Sequence, residues 1–304
     1  MARRHRHRWG QRLARGVGAA LVLLAVLAAG IVVVVLVLVR SEPPKVTAER
    51  CVVQIDGTSW VLSPEQAGNA ALLSSTAIRR GLPARAVTIA IATALQESRL
   101  INIDYGDRDS VGLFQQRPSQ GWGAVEQIMD PVYSTNAFYD GLVKVQGYEQ
   151  LPITEAAQAV QRSGFPDAYA QHEGRSRAWA SALTGFSPGA LTCTLREPSG
   201  PGSAPAFTAR VERDYGALPA SSSTGEDGIT TVVLDTTPLA HGVTGDQERF
   251  AWAVAQWSVA VAAEQQVTRV SVDGETWSRD TGAWAPAGRV LPAGEVRVTL
   301  AGDA

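Results

Sequence analysis

From Val17 to Val39 the chain runs through 23 residues of Val, Leu, Ala, Ile and Gly without a single charge. About 20 such residues suffice to cross the hydrocarbon core of a bilayer as a helix, so this stretch constrains the rest of the chain more than any other. Arg3, Arg4, Arg6, Arg8, Arg12 and Arg15 precede it, and Arg40-Ser41-Glu42-Pro43-Pro44 follow. The positive-inside bias then predicts a cytoplasmic basic tail over 1–16, a single transmembrane helix over 17–39 in the inner membrane, and an extracytoplasmic body after Arg40. A cleaved signal peptide fits less well. Its apolar core spans about 7 to 15 residues and ends in a small-x-small site, whereas Ala28-Ala29-Gly30 is followed by nine more aliphatic residues.

The formal net charge of −2 hides a division. Seven arginines and no acid fall in the first 40 residues, leaving 20 basic against 29 acidic groups in the remainder, a net of −9. An acidic body without a basic stripe is a poor match for nucleic acid, so none is expected as a partner. Hydrophobic residues make up 45% and charged residues 18%, which excludes a wholly disordered chain. Cys51 and Cys193 sit in short alternating stretches that read as strands bracketing everything between them. In an oxidising compartment the economical expectation is one disulfide tying the ends of a domain. A zinc site needs about four ligands, and beyond the basic tail only His172 and His241 are histidines, so neither metal nor cofactor is expected.

Residues 40–49 read as a stalk. Ser63-Pro64-Glu65-Gln66 opens a helix with Ser63 as N-cap, Pro64 at the first helical position and Gln66 closing a capping box, and Gly81 suits its end. A second helix from Pro83 through Leu95 is apolar nearly all round and should be buried. Asn102–Gly123 is loop-rich, and helical patterns return near 125–128, 132–145 and 154–162. The span 197–228 reads as a linker carrying a short helix with Phe207, Val211 and Tyr215 at helical spacing. The remainder reads strand (229–235), helix (247–265), strand (267–272), a turn at Asp273-Gly274, a strand through Trp277 and a final strand (296–300).

Glu97 falls at the C-terminal end of the buried helix, just before the polar loop. Desolvation and the negative end of the helix dipole both oppose its ionisation, and a carboxyl still protonated near neutral pH is what glycosidic cleavage needs as general acid. Pairing with Arg99 or Arg108 is the competing reading. Asp104, Asp107 and Asp109 offer a second carboxyl, as paired-carboxylate glycosidases require, or else cap turns.

Ala94-Leu95-Gln96-Glu97-Ser98-Arg99-Leu100, followed by Ser110-Val111-Gly112-Leu113-Phe114-Gln115-Gln116-Arg117-Pro118, resembles the lytic transglycosylase and goose-type lysozyme superfamily over roughly residues 60–185. The resemblance implies that Glu97 is the sole catalytic acid. It implies that Ser98, Ser110, Gly112, Leu113, Phe114 and Gln115 belong to the substrate cleft, with Gln115 hydrogen-bonding the glycan. The family's Ala-Tyr-Asn-Ala-Gly pattern corresponds to Val160-Gln161-Arg162-Ser163-Gly164, so Gln161 replaces the Tyr that orients the carboxyl or sugar. Tyr169 either supplies the missing aromatic or is ordinary packing. Trp122 either stacks on a sugar or packs in the core.

The expectation is therefore a mainly α lysozyme-like domain (50–196) after one N-terminal transmembrane helix, plus a small C-terminal α+β domain (229–304). Its implied partners are peptidoglycan glycan strands, with wall-machinery proteins at the C-terminal domain. The implied function is peptidoglycan cleavage by lytic transglycosylation; the alternative is a catalytically weak wall-binding scaffold.

Overall fold

In a computed structural model, residues 27–28, 30–32, 48–163, 166–240 and 246–302 are described. Strand β1 (Arg50–Ile55) turns at Asp56-Gly57, both with positive φ, into β2 (Thr58–Leu62). Its other edge takes β3 (Leu191–Thr194), giving an antiparallel sheet ordered β2-β1-β3. Cys51 lies opposite Cys193 in that ladder, and the two form a disulfide that joins points 142 residues apart. The expected pairing is present.

Between those strands the chain is helical. Helix α1 (Pro64–Arg79) begins with the expected capping box: Ser63 Oγ accepts from the Gln66 N–H, and Gln66 Oε1 accepts from the Ser63 N–H. Helix α2 (Ala84–Ser98) is buried on nearly every side, from Ala86 to Leu95, as its all-round apolar sequence demands. Helices α3 (Val125–Ile128), α4 (Pro131–Leu142) and α5 (Ile153–Gln161) follow. A 3-10 segment (Pro166–His172) then leads into α6 (Glu173–Leu183), which packs along α2. The sequence pattern alone does not predict α6.

Beyond β3, helix α7 (Ala204–Tyr215) buries Phe207, Val211 and Tyr215. Phe207 and Tyr215 meet Trp257 edge to face, at ring-centroid distances of 5.8 and 5.6 Å. Trp257 lies on α8 (Asp246–Ala260), and its indole N–H donates to the buried Asp214 carboxylate at 2.9 Å. Arg210 and Arg213 hold the same carboxylate at 3.0 and 2.7 Å. Strands β4 (Ala220–Thr224), β5 (Thr230–Asp235), β6 (Val267–Val272), β7 (Glu275–Ser278), β8 (Ala283–Pro286) and β9 (Glu295–Leu300) form an antiparallel sheet ordered β4-β5-β9-β6-β7-β8. Helix α8 packs against this sheet, β3, α1 and α6, and a single apolar core runs through Ala48–Ala304, which forms one compact unit.

This architecture corrects the expected fold class. The described residues contain two antiparallel sheets with nine strands, 44% helix and 19% strand, rather than a mainly α body. The physical reason is tertiary: a polar stretch such as Ala220–Thr224, with no strand pattern of its own, extends because a neighbouring strand supplies its backbone partners. No helix among the described residues is long and apolar enough to cross a membrane, and the expected transmembrane helix over 17–39 falls on residues that those include only in part. Most of Val17–Val39 lies outside the described residues.

Candidate functional site

The last turn of α2 ends at Ser98, and Arg99 takes the left-handed conformation with φ 58°. The buried Ser98 hydroxyl donates to the Leu113 carbonyl at 2.7 Å and contacts the Ala94 carbonyl at 3.1 Å. It therefore fastens the helix end to the following turn. That turn is closed by paired backbone hydrogen bonds between Val111 and Gln116, both 3.0 Å. Ser110 is buried at its start. Gly112, at φ +82°, donates its N–H to Ile103 O at 2.7 Å, and a Cβ there would meet the Ile128 carbonyl oxygen at 2.9 Å. Leu113 and Phe114 are fully buried, and Phe114 stacks on Phe138 at 4.4 Å. Both side chains are core, so what they offer the site is a rigid backbone. Gln115 turns back on its own loop, donating to the Tyr105 and Gly112 carbonyls at 3.2 and 3.3 Å.

Glu97 is half-buried against this wall. The Tyr169 hydroxyl donates to Glu97 Oε1 at 2.6 Å, and Gln161 hydrogen-bonds the same side chain. Gln161 Nε2 also donates to the Phe114 carbonyl at 2.7 Å, which links the end of α5 to the Ser110–Gln116 turn. Tyr169 itself is fully buried. Burial raises the Glu97 pKa, and the hydrogen bonds from Tyr169 and Gln161 pull only part of that back. Burial and the adjoining carboxyl raise the Tyr169 pKa, so its phenol stays a donor. Four segments far apart in sequence thus converge: the end of α2, the Ser110–Gln116 turn, the end of α5 and the 3-10 segment.

No family model and no curated protein matches the chain.

The loop carboxylates differ from Glu97. Asp109 accepts from Arg117 Nε at 2.8 Å and from the Ser119 N–H at 2.8 Å, and these contacts hold its pKa far below the usual range. Asp107 lies 3.9 Å from Arg108 at the surface. Neither Arg99 nor Arg108 pairs with Glu97 among the described residues.

A cleft of about 810 Å³ opens beside Gln161, lined by Trp122, Tyr133, Asp140, Lys144 and Arg162 among others. Glu97 does not line it; Gln161 belongs to both the cleft and the carboxyl's hydrogen-bond shell. The Glu97 carboxyl is therefore related to the cavity through Gln161 rather than as part of its wall. Sequence reasoning flagged Trp122 but missed Tyr133, Lys144 and the Gln96 amide, whose oxygen meets Gln171 and His172 at 3.1 Å each, one residue before Glu97. A tyrosine eleven residues beyond Trp122 carries no signal of its own; only the packing of α4 brings its hydroxyl to the Trp122 carbonyl, at 3.1 Å.

Proposed function

We propose that this protein is an extracytoplasmic peptidoglycan lytic transglycosylase that cleaves the β-1,4 bond between N-acetylmuramic acid and N-acetylglucosamine with Glu97 as its single catalytic carboxyl. The observation that carries the reading is the environment of Glu97: a helix-terminal carboxyl with raised pKa, oriented by the Tyr169 hydroxyl at 2.6 Å. The Cys51–Cys193 disulfide supports an oxidising compartment.

Protonated Glu97 gives its proton to the bridging oxygen as the bond to muramoyl C1 breaks, which releases the N-acetylglucosamine hydroxyl. The muramoyl N-acetyl oxygen stabilises the cationic C1. Glu97, now a carboxylate, takes the proton from the C6 hydroxyl while O6 bonds to C1. The products are a 1,6-anhydro-muramoyl end and regenerated Glu97 acid, with no water consumed. A partner carboxylate at the 5 to 9.5 Å spacing of paired-carboxylate enzymes is not needed on this route, which fits an Asp109 already engaged by Arg117.

Tyr169 does for this carboxyl what the resemblance assigns to the tyrosine that Gln161 replaces, from a different place in the chain. Ser98 acts through the backbone of Leu113 and is a positioning residue. Mass analysis of products released from isolated sacculi tests the proposal: anhydro-muramoyl ends are expected, and recovery of reducing ends alone would overturn the mechanism. A second reading, wall binding without turnover, is favoured by the position of Glu97 outside the main cleft lining. Equal muropeptide release by wild type and a Glu97→Gln variant would exclude Glu97 catalysis, and release by both at the level of the no-protein control, with sacculi still bound, would establish this second reading.

A further inference from the structure

The cleft beside Gln161 holds two cations with no evident structural duty. Of its charged residues, Asp140 is bound by Arg80 at 2.6 Å. Lys144 and Arg162 are exposed, line the same cavity and have no ion-pair partner among the described residues. Trp122 stands half-buried in the same wall, and the Tyr133 hydroxyl fixes its backbone by donating to the Trp122 carbonyl at 3.1 Å. The chain after Arg40 carries a net charge of −9, so a local cationic pair runs against its general character. An indole face suits the apolar face of a sugar or an aliphatic side chain, and unpaired Lys and Arg suit a carboxylate. The cavity is large enough, at about 810 Å³, for more than one sugar ring.

Resting on the function proposed above, we infer that this cleft receives the carboxylate-bearing peptide stem of a substituted glycan strand, so that the protein prefers peptide-substituted peptidoglycan to naked glycan. Gln161 sets the geometry: it borders the cleft and contacts the catalytic carboxyl, so a strand presented to Glu97 places its substituents against Lys144 and Arg162. An anionic wall polymer carries the related phosphate chemistry, but its backbone offers Trp122 no apolar ring face.

Two solvent-accessible charge contacts together are worth about a fivefold preference, which weakens as salt rises. The test is binding to the full-length Glu97→Gln protein of soluble glycan oligomers that carry stem peptides, against the same oligomers stripped of them by an amidase. Cleavage by the wild-type protein is measured in parallel. The substituted oligomers should bind about five times more tightly. The double variant Lys144→Gln with Arg162→Asn should bring the ratio to about one. Asn is chosen because Arg162 has φ 52° and Asn tolerates the left-handed region. Lys144→Arg should keep the preference, which separates loss of charge from loss of fold. A ratio near one in the parent, or a ratio unchanged in the double variant, overturns the inference. So does displacement of the oligomers by poly(glycerol phosphate) that depends on the same two residues while stems make no difference. If the wild type cleaves nothing yet binds in a stem-dependent way, the catalytic reading fails and the stem site stands. Stem-independent cleavage gives the reverse.

Discussion

Glu97 and Asp109 lie twelve residues apart and carry the same functional group, yet their surroundings drive them in opposite directions. Glu97 leaves a buried helix beside the fully buried Tyr169, and its pKa is raised chiefly by burial. Asp109 lies in a loop against a guanidinium and a backbone N–H, and its pKa is lowered chiefly by Arg117. The difference teaches that closeness in the sequence does not decide which carboxyl favours its protonated form. What selects it is a wall that withholds water while offering only neutral donors, because a cation at the same place would fix the carboxylate form.

The comparison breaks most directly at Glu97. Glu97→Gln removes the transferable proton while keeping an oxygen for Tyr169, and release of anhydro-muropeptides should fall by about 10²–10⁴-fold, the usual worth of a general acid. Residual activity within a few-fold of wild type would transfer the acid to another group.

Tyr169→Phe sharpens the comparison by deleting a donor to Glu97 while leaving the wall in place. The ionised form loses support, so the Glu97 pKa rises further. Because the acid must be protonated to act, activity falls as pH climbs through that pKa, and the variant's upper limb should move to higher pH. Its maximum rate should drop about tenfold, as expected when a hydrogen bond of about 1.4 kcal/mol to the reacting carboxyl is lost. A merely structural tyrosine would lower the rate without moving the limb.

How much of this was legible in the sequence depended on the range of the forces involved. The Ser63 capping box and the apolar run from Ala86 to Leu95 act within a few residues, and both appear where the sequence puts them. Glu97 was legible as a helix-terminal carboxyl for the same reason. Strand β4 was not: Ala220–Thr224 has no alternation of its own and is extended by pairing with β5 across the Gly225–Gly228 turn. Helix α6 escaped because Arg175, Arg177 and the alanines of Glu173–Leu183 give a weak apolar stripe, although Trp179 is fully buried. At the site, the resemblance makes Gln161 a substitute for an orienting tyrosine, but its bond to the Phe114 carbonyl spans 47 residues and no spacing rule reaches it. The resemblance places Leu113 and Phe114 in the cleft, whereas their side chains complete the core that holds the turn in place.

The two carboxyls also make opposite demands on stability, and this gives the smallest test. Glu97 has its folded-state pKa raised above the usual 4.5, so the stability it contributes is present below that value and is lost as pH rises through the folded one. Glu97→Gln should therefore gain melting temperature relative to wild type at pH 7 to 8 and not at about pH 4. Asp109 has a lowered folded-state pKa, so its contribution is present above 3.8 and is lost as pH falls through the folded value. Its solvent-facing position keeps that contribution small, because water and salt screen the pair with Arg117. Asp109→Asn should leave anhydro-muropeptide release within about twofold of wild type and should flatten only the acid side of the melting profile. A loss of activity as large as that of Glu97→Gln would make Asp109 the second carboxylate of a paired mechanism, and its bond to Arg117 would then be a resting arrangement that substrate must displace.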